Sequence, residues 1–358
     1  MTPPRKTLIA FATQWGTKFG GINCFNIDLV KAVASTFFDR VKSVCVVLEA
    51  TSEQIEEALN DGVVLLELNK QHQEKFSPDL VDAVLRLLEK ASIRLDPAET
   101  VWLGHDRITG AIALAAAEKF GGKSALIHHM SYVHYEPFEE DSASARVKEN
   151  EQRVLFLKAD FVLAIGPLLR DALIDLIEKT NVSMLVPGLP NIQPRSEPKN
   201  FKAFLSGRLA AKIKQASLGL AAFGAAVNQC TKNPGLPSQL NLNQEPRMIL
   251  RGVDFERVSD DAETQAELEI KKFVEGYANG AVNIQTLPFT TDRFELFKDL
   301  RSSSVAMMPS WHEGFGLVAW EAIAAGVQHR QRQLRRTLGV FEHQGARRPP
   351  HLQAATHQ

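Results

Sequence analysis

At 358 residues, with 44% hydrophobic and 23% charged side chains, the chain has ordinary globular composition, too long for one core and too apolar for wholesale disorder. A formal net charge of -1 removes any global electrostatic reason for nucleic acid or acidic lipid as the main partner, so an anion site has to be local. Cys24, Cys45 and Cys230 lie far apart with no metal-ligand spacing and read as buried thiols of a reducing compartment. No apolar run approaches the length of a membrane span, which gives a cytoplasmic expectation and leaves contact with a membrane surface open.

Short β-rich runs alternate with amphipathic ones, the pattern of a parallel α/β sheet. Strands are predicted at residues 7–13, 41–49, 63–68, 100–104, 124–128, 161–165 and 182–186, and helices at 79–91, 109–119 and 167–179. Together they make one doubly wound domain over 1–186. After the first strand comes Lys18-Phe19-Gly20-Gly21-Ile22-Asn23. Adjacent glycines let a ligand approach the backbone closely, the next helix N-terminus favours a phosphate, and Lys18 adds a point charge. A plain strand-to-helix turn that needs glycine for φ > 0 is the other reading. Further on, Val101-Trp102-Leu103-Gly104 ends in His105-Asp106. In open α/β sheets ligands lie beyond the carboxyl ends of strands, which makes His105 a site candidate. Asp106 is either a member of that site or the cap of the following helix. Leu126-Ile127-His128-His129 ends the next strand in the same way, with His134 beyond it. These histidines do not match a zinc spacing and read as cleft-lining or core residues.

A Pro-rich stretch without periodicity, 187–200, is the predicted linker. The alternation resumes with strands at 201–206, 248–253, 282–286 and 304–308 and helices at 212–228, 261–275 and 291–300, a second α/β domain over 201–327. Its first strand ends in Gly207-Arg208, a cation placed to neutralise a leaving diphosphate. Lys212 and Lys214 follow, as further cations of the site or as surface lysines of a helix. Near the end, Met307-Met308-Pro309 leads through Ser310-Trp311-His312-Glu313-Gly314-Phe315-Gly316 into a helix that contains Glu321. A strand, a Gly-rich turn and a helix N-terminus make an anion cradle. Glu313 sits in the turn and Glu321 more than one helical turn inside, so each can accept hydrogen bonds from a different pair of vicinal hydroxyls. A favourable charge at a helix end would explain Glu313 alone, but not the paired spacing with two glycines. From Gln328 the composition turns to Gln, His and Arg. Residues 328–358 read as a basic arm or as the product of a shifted reading frame.

At these residues the sequence resembles the retaining glycosyltransferases of family four, the group of glycogen and sucrose-phosphate synthases, up to about Val327. The most specific element is E-x7-E, here Glu313 to Glu321, in a family-like Pro-Ser-x-x-Glu-Gly-Phe-Gly-Leu setting. Lys18-x-Gly20-Gly21, His105, Ala159-Asp160 and Gly207-Arg208 support it. The resemblance implies an α/β fold of GT-B type, two Rossmann-like domains facing across a cleft. It also implies a nucleotide-diphosphate sugar as substrate, an unidentified acceptor, no nucleic acid, no cofactor and no metal; the lack of any D-x-D triplet agrees with the last. In this frame Glu313 meets the hydroxyls of the transferred sugar, with the N–H groups of Gly314, Phe315 and Gly316 nearby, and Glu321 binds the ribose. Arg208 and a following lysine, assigned as Lys214, stabilise the departing diphosphate. Lys18, Gly20 and Gly21 close over the phosphates, and His105 lines the reacting centre. Retention would follow from front-side attack.

Two departures stand out. The family's Arg-x4-Lys spacing falls between Lys212 and Lys214. The family's second domain also continues past the E-x7-E helix with another strand and helices, where this chain has its Gln/Arg/His tail. The second domain is therefore expected to be incomplete, with an unpaired sheet edge. An inactive remnant that still binds nucleotide, and a nucleotide-sugar epimerase of the same fold, are the alternatives to an active transferase. A nicotinamide-dependent dehydrogenase ranks last, since Gly20-Gly21 lacks G-x-G-x-x-G. Residues 131–142, with Glu139-Glu140-Asp141, read first as a solvated loop and otherwise as an acceptor-side loop.

Overall fold

The computed structural model describes residues 6–16, 20–68, 75–135, 142–192, 200–207, 211–233, 245–253, 260–290 and 292–331. Lys18, Arg208, the Glu139-Glu140-Asp141 run and the tail beyond Gln331 lie outside them. The chain divides into two compact units, Met1–Pro187 and Gly188–Gln358.

The first unit runs β1 (Lys6–Phe11), α1 (Gly21–Thr36), β2 (Val41–Val47), α2 (Ser52–Asn60), β3 (Val63–Glu67), α3 (Val81–Lys90), β4 (Thr100–His105), α4 (Asp106–Phe120), β5 (Lys123–His128), α5 (Tyr132–Tyr135), α6 (Ser142–Lys158), β6 (Phe161–Ile165), α7 (Gly166–Ile177) and β7 (Ser183–Leu185). The strands pair in parallel in the order β3-β2-β1-β4-β5-β6-β7. Parallel strands covered by helices on both faces are apolar throughout rather than alternating. Ile9, Ala10 and Phe11 of β1 and Val44 to Val47 of β2 are accordingly all buried. Helix α2, which sequence periodicity left unassigned, starts at a capping box in which Thr51 and Gln54 bond each other's backbone N–H. Asp160, at the N-terminal end of β6, accepts from the Ser124 N–H and hydroxyl, each at 2.9 Å, and from Lys123 at 2.8 Å. It clasps β5 to β6 at the sheet edge opposite the strands' carboxyl ends, which is a structural role.

The second unit runs β8 (Lys202–Ser206), a 3-10 turn (Lys212–Lys214), α8 (Ala216–Lys232), β9 (Arg247–Val253), α9 (Asp260–Ala278), β10 (Asn283–Pro288), α10 (Arg293–Arg301), β11 (Val305–Met308), α11 (Leu317–Ala324) and β12 (Gln328–Gln331). Its parallel sheet has the order β10-β9-β8-β11-β12. Successive residues of β8 point to opposite faces. Ala203 and Leu205 enter a cluster with Leu220, Phe223 and Val274, while Phe204 enters another with Leu300, Ala322 and Val327. Each side of the sheet thus has its own core. Burying a side chain the size of Phe204 contributes about 2–3 kcal/mol. Ile192 joins the Phe204 cluster, and Gly188 accepts a hydrogen bond from Trp320 Nε1 at 3.2 Å, so part of the predicted linker packs on this unit.

The expected end of the second sheet at Val327 is corrected. Residues Gln328 to Gln331 pair in parallel with Val305 to Met308. A strand at the sheet edge needs an extended backbone and one ladder partner more than apolar side chains, and polar or charged residues are usual there. The change in composition at Gln328 therefore begins inside a strand. Among the described residues no helix is long and apolar enough to cross a membrane.

Candidate functional site

In each sheet the chain order reverses beside the first strand of the unit. Strand β1 lies between β2 and β4, and β8 lies between β9 and β11. Loops leaving the two central strands in such a pair go to opposite faces and open a crevice at their carboxyl ends, where ligands of α/β sheets bind. Gly20-Gly21 follows β1 and His105 ends β4, so both first-unit candidates sit at that point. In the second unit Gly207 follows β8, and the Ser310 to Gly316 turn follows β11, at the equivalent point.

The second-unit crevice brings the two loops into contact. Trp311 N–H donates to the Ile213 carbonyl at 2.9 Å, and Ile213 is fully buried, which anchors the 3-10 turn against the Gly-rich turn. This places the Lys214 ammonium on Glu313 Oε1 in an ion pair, and Ser310 Oγ donates to the same oxygen at 2.8 Å. Both bonds fall on Oε1, so Oε2 is left to accept from something else. Lys214, rather than Lys212, is the lysine that meets Glu313. Gly316 caps α11 with φ 81°, a left-handed conformation that calls for glycine, while the nearest atom to a Cβ there, Met308 Cε at 2.8 Å, is the movable end of a flexible side chain. Glu321 is the fifth residue of α11, and its Oε1 lies 3.7 Å from the guanidinium of Arg293 at the start of α10. A carboxylate beside a cation can still accept hydrogen bonds from hydroxyls through its remaining lone pairs.

In the first unit Gly20 caps α1 with φ 100°, and among the described residues nothing lies within 4 Å of where its Cβ would be. The positive φ is what calls for glycine. The first N–H groups of α1 suit an anion as well. His105 is fully buried. Its Nε2 lies 2.8 Å from Asn26 Oδ1 and its Nδ1 lies 2.9 Å from His129 Nε2, so both ring nitrogens are engaged inside the unit. Burial pushes its pKa down to about 4, against the opposing charge of Asp106. His129, only half-buried, is held well below the usual histidine value by burial and then by the neighbouring His105. Asn26 is also fully buried, and its Nδ2 donates to Cys45 Sγ at 3.4 Å.

Asp106 is not the cap of α4; the residue before the helix is His105 and no side chain caps it. The Asp106 carboxylate instead turns to β5. It accepts from His129 N–H at 3.0 Å, Met130 N–H at 3.2 Å and Gln152 Nε2, with His128 Nδ1 at 3.5 Å. Burial raises its pKa, but His128 and the other donors more than offset this and hold the carboxyl below its usual range. Its backbone is left-handed, φ 49°, a conformation that costs a non-glycine residue about 1 kcal/mol. Among the described residues no group of three or more His, Cys, Asp or Glu side chains is arranged to hold a metal ion.

Of the sequence candidates, Glu313, Lys214, Gly314, Phe315, Gly316 and Glu321 come together in the second unit, and His105, Gly20 and Gly21 flank one crevice in the first. Four residues of these networks carried no individual signal: Asn26, Gln152, Ser310 and Arg293. Ser310 could have been found, lying three residues before Glu313 in the same turn.

A glycosyltransferase family described as family 4 in conflict systems matches residues 9–327, ending one residue before the change in composition. A comparison with curated proteins returns no match. Among solved structures, a sucrose-phosphate synthase from Thermosynechococcus elongatus is similar over 91% of this chain and 81% of its own, with a TM-score of 0.60 at 15% identity. A point mutant of TarM from S. aureus, in complex with fondaparinux, alpha-GlcNAc-glycerol and UDP, is similar over 91% and 85%, with a TM-score of 0.58 at 10% identity. A glycosyltransferase from Rickettsia africae is similar over 91% and 79%, with a TM-score of 0.56 at 12% identity. At such identities the likeness shows the fold, the pair of Rossmann-like units of GT-B enzymes. The family match covers most of the chain, and this protein belongs to the family-4 glycosyltransferases of conflict systems.

Proposed function

We propose that this glycosyltransferase is retaining and metal-independent, and takes its sugar from a nucleotide-diphosphate donor held mainly on the second unit. The observation that carries the proposal is Glu313, fixed through Oε1 by Lys214 and Ser310, with no hydrogen bond to Oε2 among the described residues. Oε2 accepts from hydroxyls of the transferred sugar, beside the N–H groups of Gly314, Phe315 and Gly316. Two turns away Glu321 accepts from the ribose, steadied by Arg293. Lys214, and Arg208 outside the described residues, supply the positive charge that the leaving diphosphate needs, the role that a divalent cation fills elsewhere. Lys18, Gly20 and Gly21 contribute from the first unit, and His105 acts there through the residues it holds.

Glu313 is held by a lysine and a serine, an arrangement suited to binding rather than to covalent attack on the anomeric carbon. Retention then follows a front-side path. The acceptor oxygen bonds to the anomeric carbon on the face from which the diphosphate departs, and the hydroxyl proton passes to the departing phosphate oxygen.

UDP-glucose, UDP-N-acetylglucosamine, GDP-mannose and ADP-glucose, each incubated with the protein in EDTA, test this by release of free nucleotide diphosphate. One of them is expected to turn over and to give a product of unchanged anomeric configuration by NMR. Glu313→Gln is expected to lower turnover about 100-fold while leaving the melting temperature within a few degrees. Failure to release nucleotide from any donor, an inverted product, or loss of activity in EDTA would overturn the corresponding part.

A further inference from the structure

Strand β9 carries a charge where a parallel strand covered on both faces calls for apolar side chains. Met248, Ile249 and Leu250 are buried in the ordinary way, and Arg251 follows them inward with only 6% of its surface exposed. Among the described residues of the second unit it is the one buried Lys, Arg, Asp or Glu. Arg251 shares a sheet face with Ile249, which packs in the cluster that holds Leu300 of α10. The guanidinium therefore meets α10, and all three of its nitrogens are used. Nε donates to Asp299 Oδ2 at 2.5 Å, and Nη2 lies 3.7 Å from Glu295 Oε2. Nη1 donates to the Pro288 carbonyl at 3.2 Å, just past the bulge between Leu287 and Pro288. Glu295 and Asp299, one turn apart, lie on one side of the helix. A single side chain rooted in β9 thus grips the end of β10 and two successive turns of α10.

Stability alone does not call for this cation. Desolvating a guanidinium offsets much of what its ion pairs contribute, and an apolar side chain would fill the same place about as well. An apolar contact does not, however, fix the rotation of a helix about its own axis. That rotation matters at the first residue of α10, where the Arg293 guanidinium stands 3.7 Å from Glu321 Oε1 and 5.5 Å from the centre of the Phe297 ring. The helix starts there because Asp292 caps it, accepting from Phe294 N–H at 2.8 Å. A turn of about 20° carries side-chain ends, on a radius of roughly 5–6 Å, through about 2 Å. The contact between Arg293 and Glu321 does not survive such a displacement.

We propose that Arg251 is a positioning residue for the ribose of the donor: its grip on α10 holds Arg293 against Glu321 and so aims the carboxylate. The ribose rests on the glycosyltransferase reading above, whereas the coupling of Arg251 to Glu321 does not.

The two parts are tested separately. The coupling is read from crystals of the ligand-free full chain. Arg251→Met removes the grip, and Arg251→Met combined with Asp299→Leu removes it without leaving a partly buried carboxylate unpaired, which serves if the single variant does not fold. Either should open the Arg293–Glu321 contact beyond about 4 Å, the reach of an ion pair. An unchanged contact in a folded variant overturns the proposal whether or not any nucleotide binds. The ribose is tested by calorimetry with UDP, GDP and ADP and their dideoxyribose counterparts. In the wild type, loss of both hydroxyls should weaken binding about 10- to 100-fold, as expected for hydrogen bonds to a charged group. In the variant that ratio should shrink to about twofold or less, with the Kd of the dideoxy nucleotide unchanged. Arg251→Lys, which can hold one acceptor but not three, should restore part of the ratio. Equal weakening of both nucleotides, or a lower melting temperature with the ratio intact, would mean a merely structural role and overturns the assignment. If none of the three diphosphates binds the wild type, the donor reading falls and the ribose with it, while the crystals still decide the hold on Glu321.

Discussion

Removing the Asp106 carboxylate should cost more than removing any surface charge of this chain. In Asp106→Ala the His129 and Met130 amides, 3.0 and 3.2 Å from the carboxylate, lose their acceptor, while Gln152 keeps the Met130 carbonyl at 2.9 Å. A buried donor left without a partner costs about 1–3 kcal/mol, so two of them cost roughly 2–6, and alanine in left-handed backbone adds about 1. Partial hydration of the amides trims the total to about 3–5 kcal/mol. Asparagine tolerates the left-handed region and keeps one oxygen for the amides, so Asp106→Asn should cost about 1–2 kcal/mol. In urea, with a slope of about 2 kcal/mol per molar, Asp106→Ala should move the first unit's midpoint down by about 1.5–2.5 M. Amide hydrogen exchange at His129 and Met130 reports the same loss locally. The carboxyl is held below its ordinary range, so its stabilisation is complete above the unfolded value of about 3.9 and fades as pH falls through the folded one. The gap between wild type and Asp106→Asn should therefore hold from pH 7 down to about pH 4 and shrink only below it. An Asp106→Ala penalty under about 1 kcal/mol, or an asparagine variant worse than alanine, would refute the reasoning.

Two other predictions concern backbone and thiol. Gly252 has φ 107°, and a Cβ there would stand 2.0 Å from the Gly207 carbonyl oxygen, so Gly252→Ala must push away the loop that leads to Arg208. A loss of about 3 kcal/mol or more in thermal or urea unfolding is expected, with weaker nucleotide binding by calorimetry; a neutral outcome would mean that the two loops do not meet. The Cys45 thiol is pushed up to about 12 by burial, with the Asn26 hydrogen bond opposing. Its neutral form therefore stabilises the fold fully below the ordinary thiol value, and the benefit fades as pH rises towards 12. At pH 8.5 iodoacetamide should leave Cys45 unmodified in the folded chain and alkylate it in urea, as read by peptide mass spectrometry. Rapid labelling without denaturant would contradict the burial.

Most strands were legible because a parallel sheet covered on both faces needs unbroken apolar runs, and 161–165 agrees with the structure to the residue. Helix α6 was missed because its sequence of mixed polarity carries little apolar periodicity, and α2 because it is short and buries only Ala58. Strand β12 was missed for a related reason, since an edge strand can be polar throughout. At the candidate site the glycines were readable, as turn chemistry is local: Gly20 and Gly316 both have the positive φ that their motifs suggest. Asp106 was half-legible. A carboxylate before a helix usually caps it, and nothing local shows that this one turns instead to a strand end 23 residues further on.

The sequence by itself determined two parallel α/β units, crevices at the ends of their strands, and the pairing of Glu313 with Glu321 on one turn and helix, since these depend on periodicity and spacing within a few residues. The tertiary structure decided which of two lysines meets Glu313, 99 residues away, and which of two histidines faces outward. It also decided that an asparagine 79 residues before His105 bonds its ring. Such choices depend on distances across space between strands and helices remote in the chain, and a hydrogen-bond direction is fixed only once all its partners are in place.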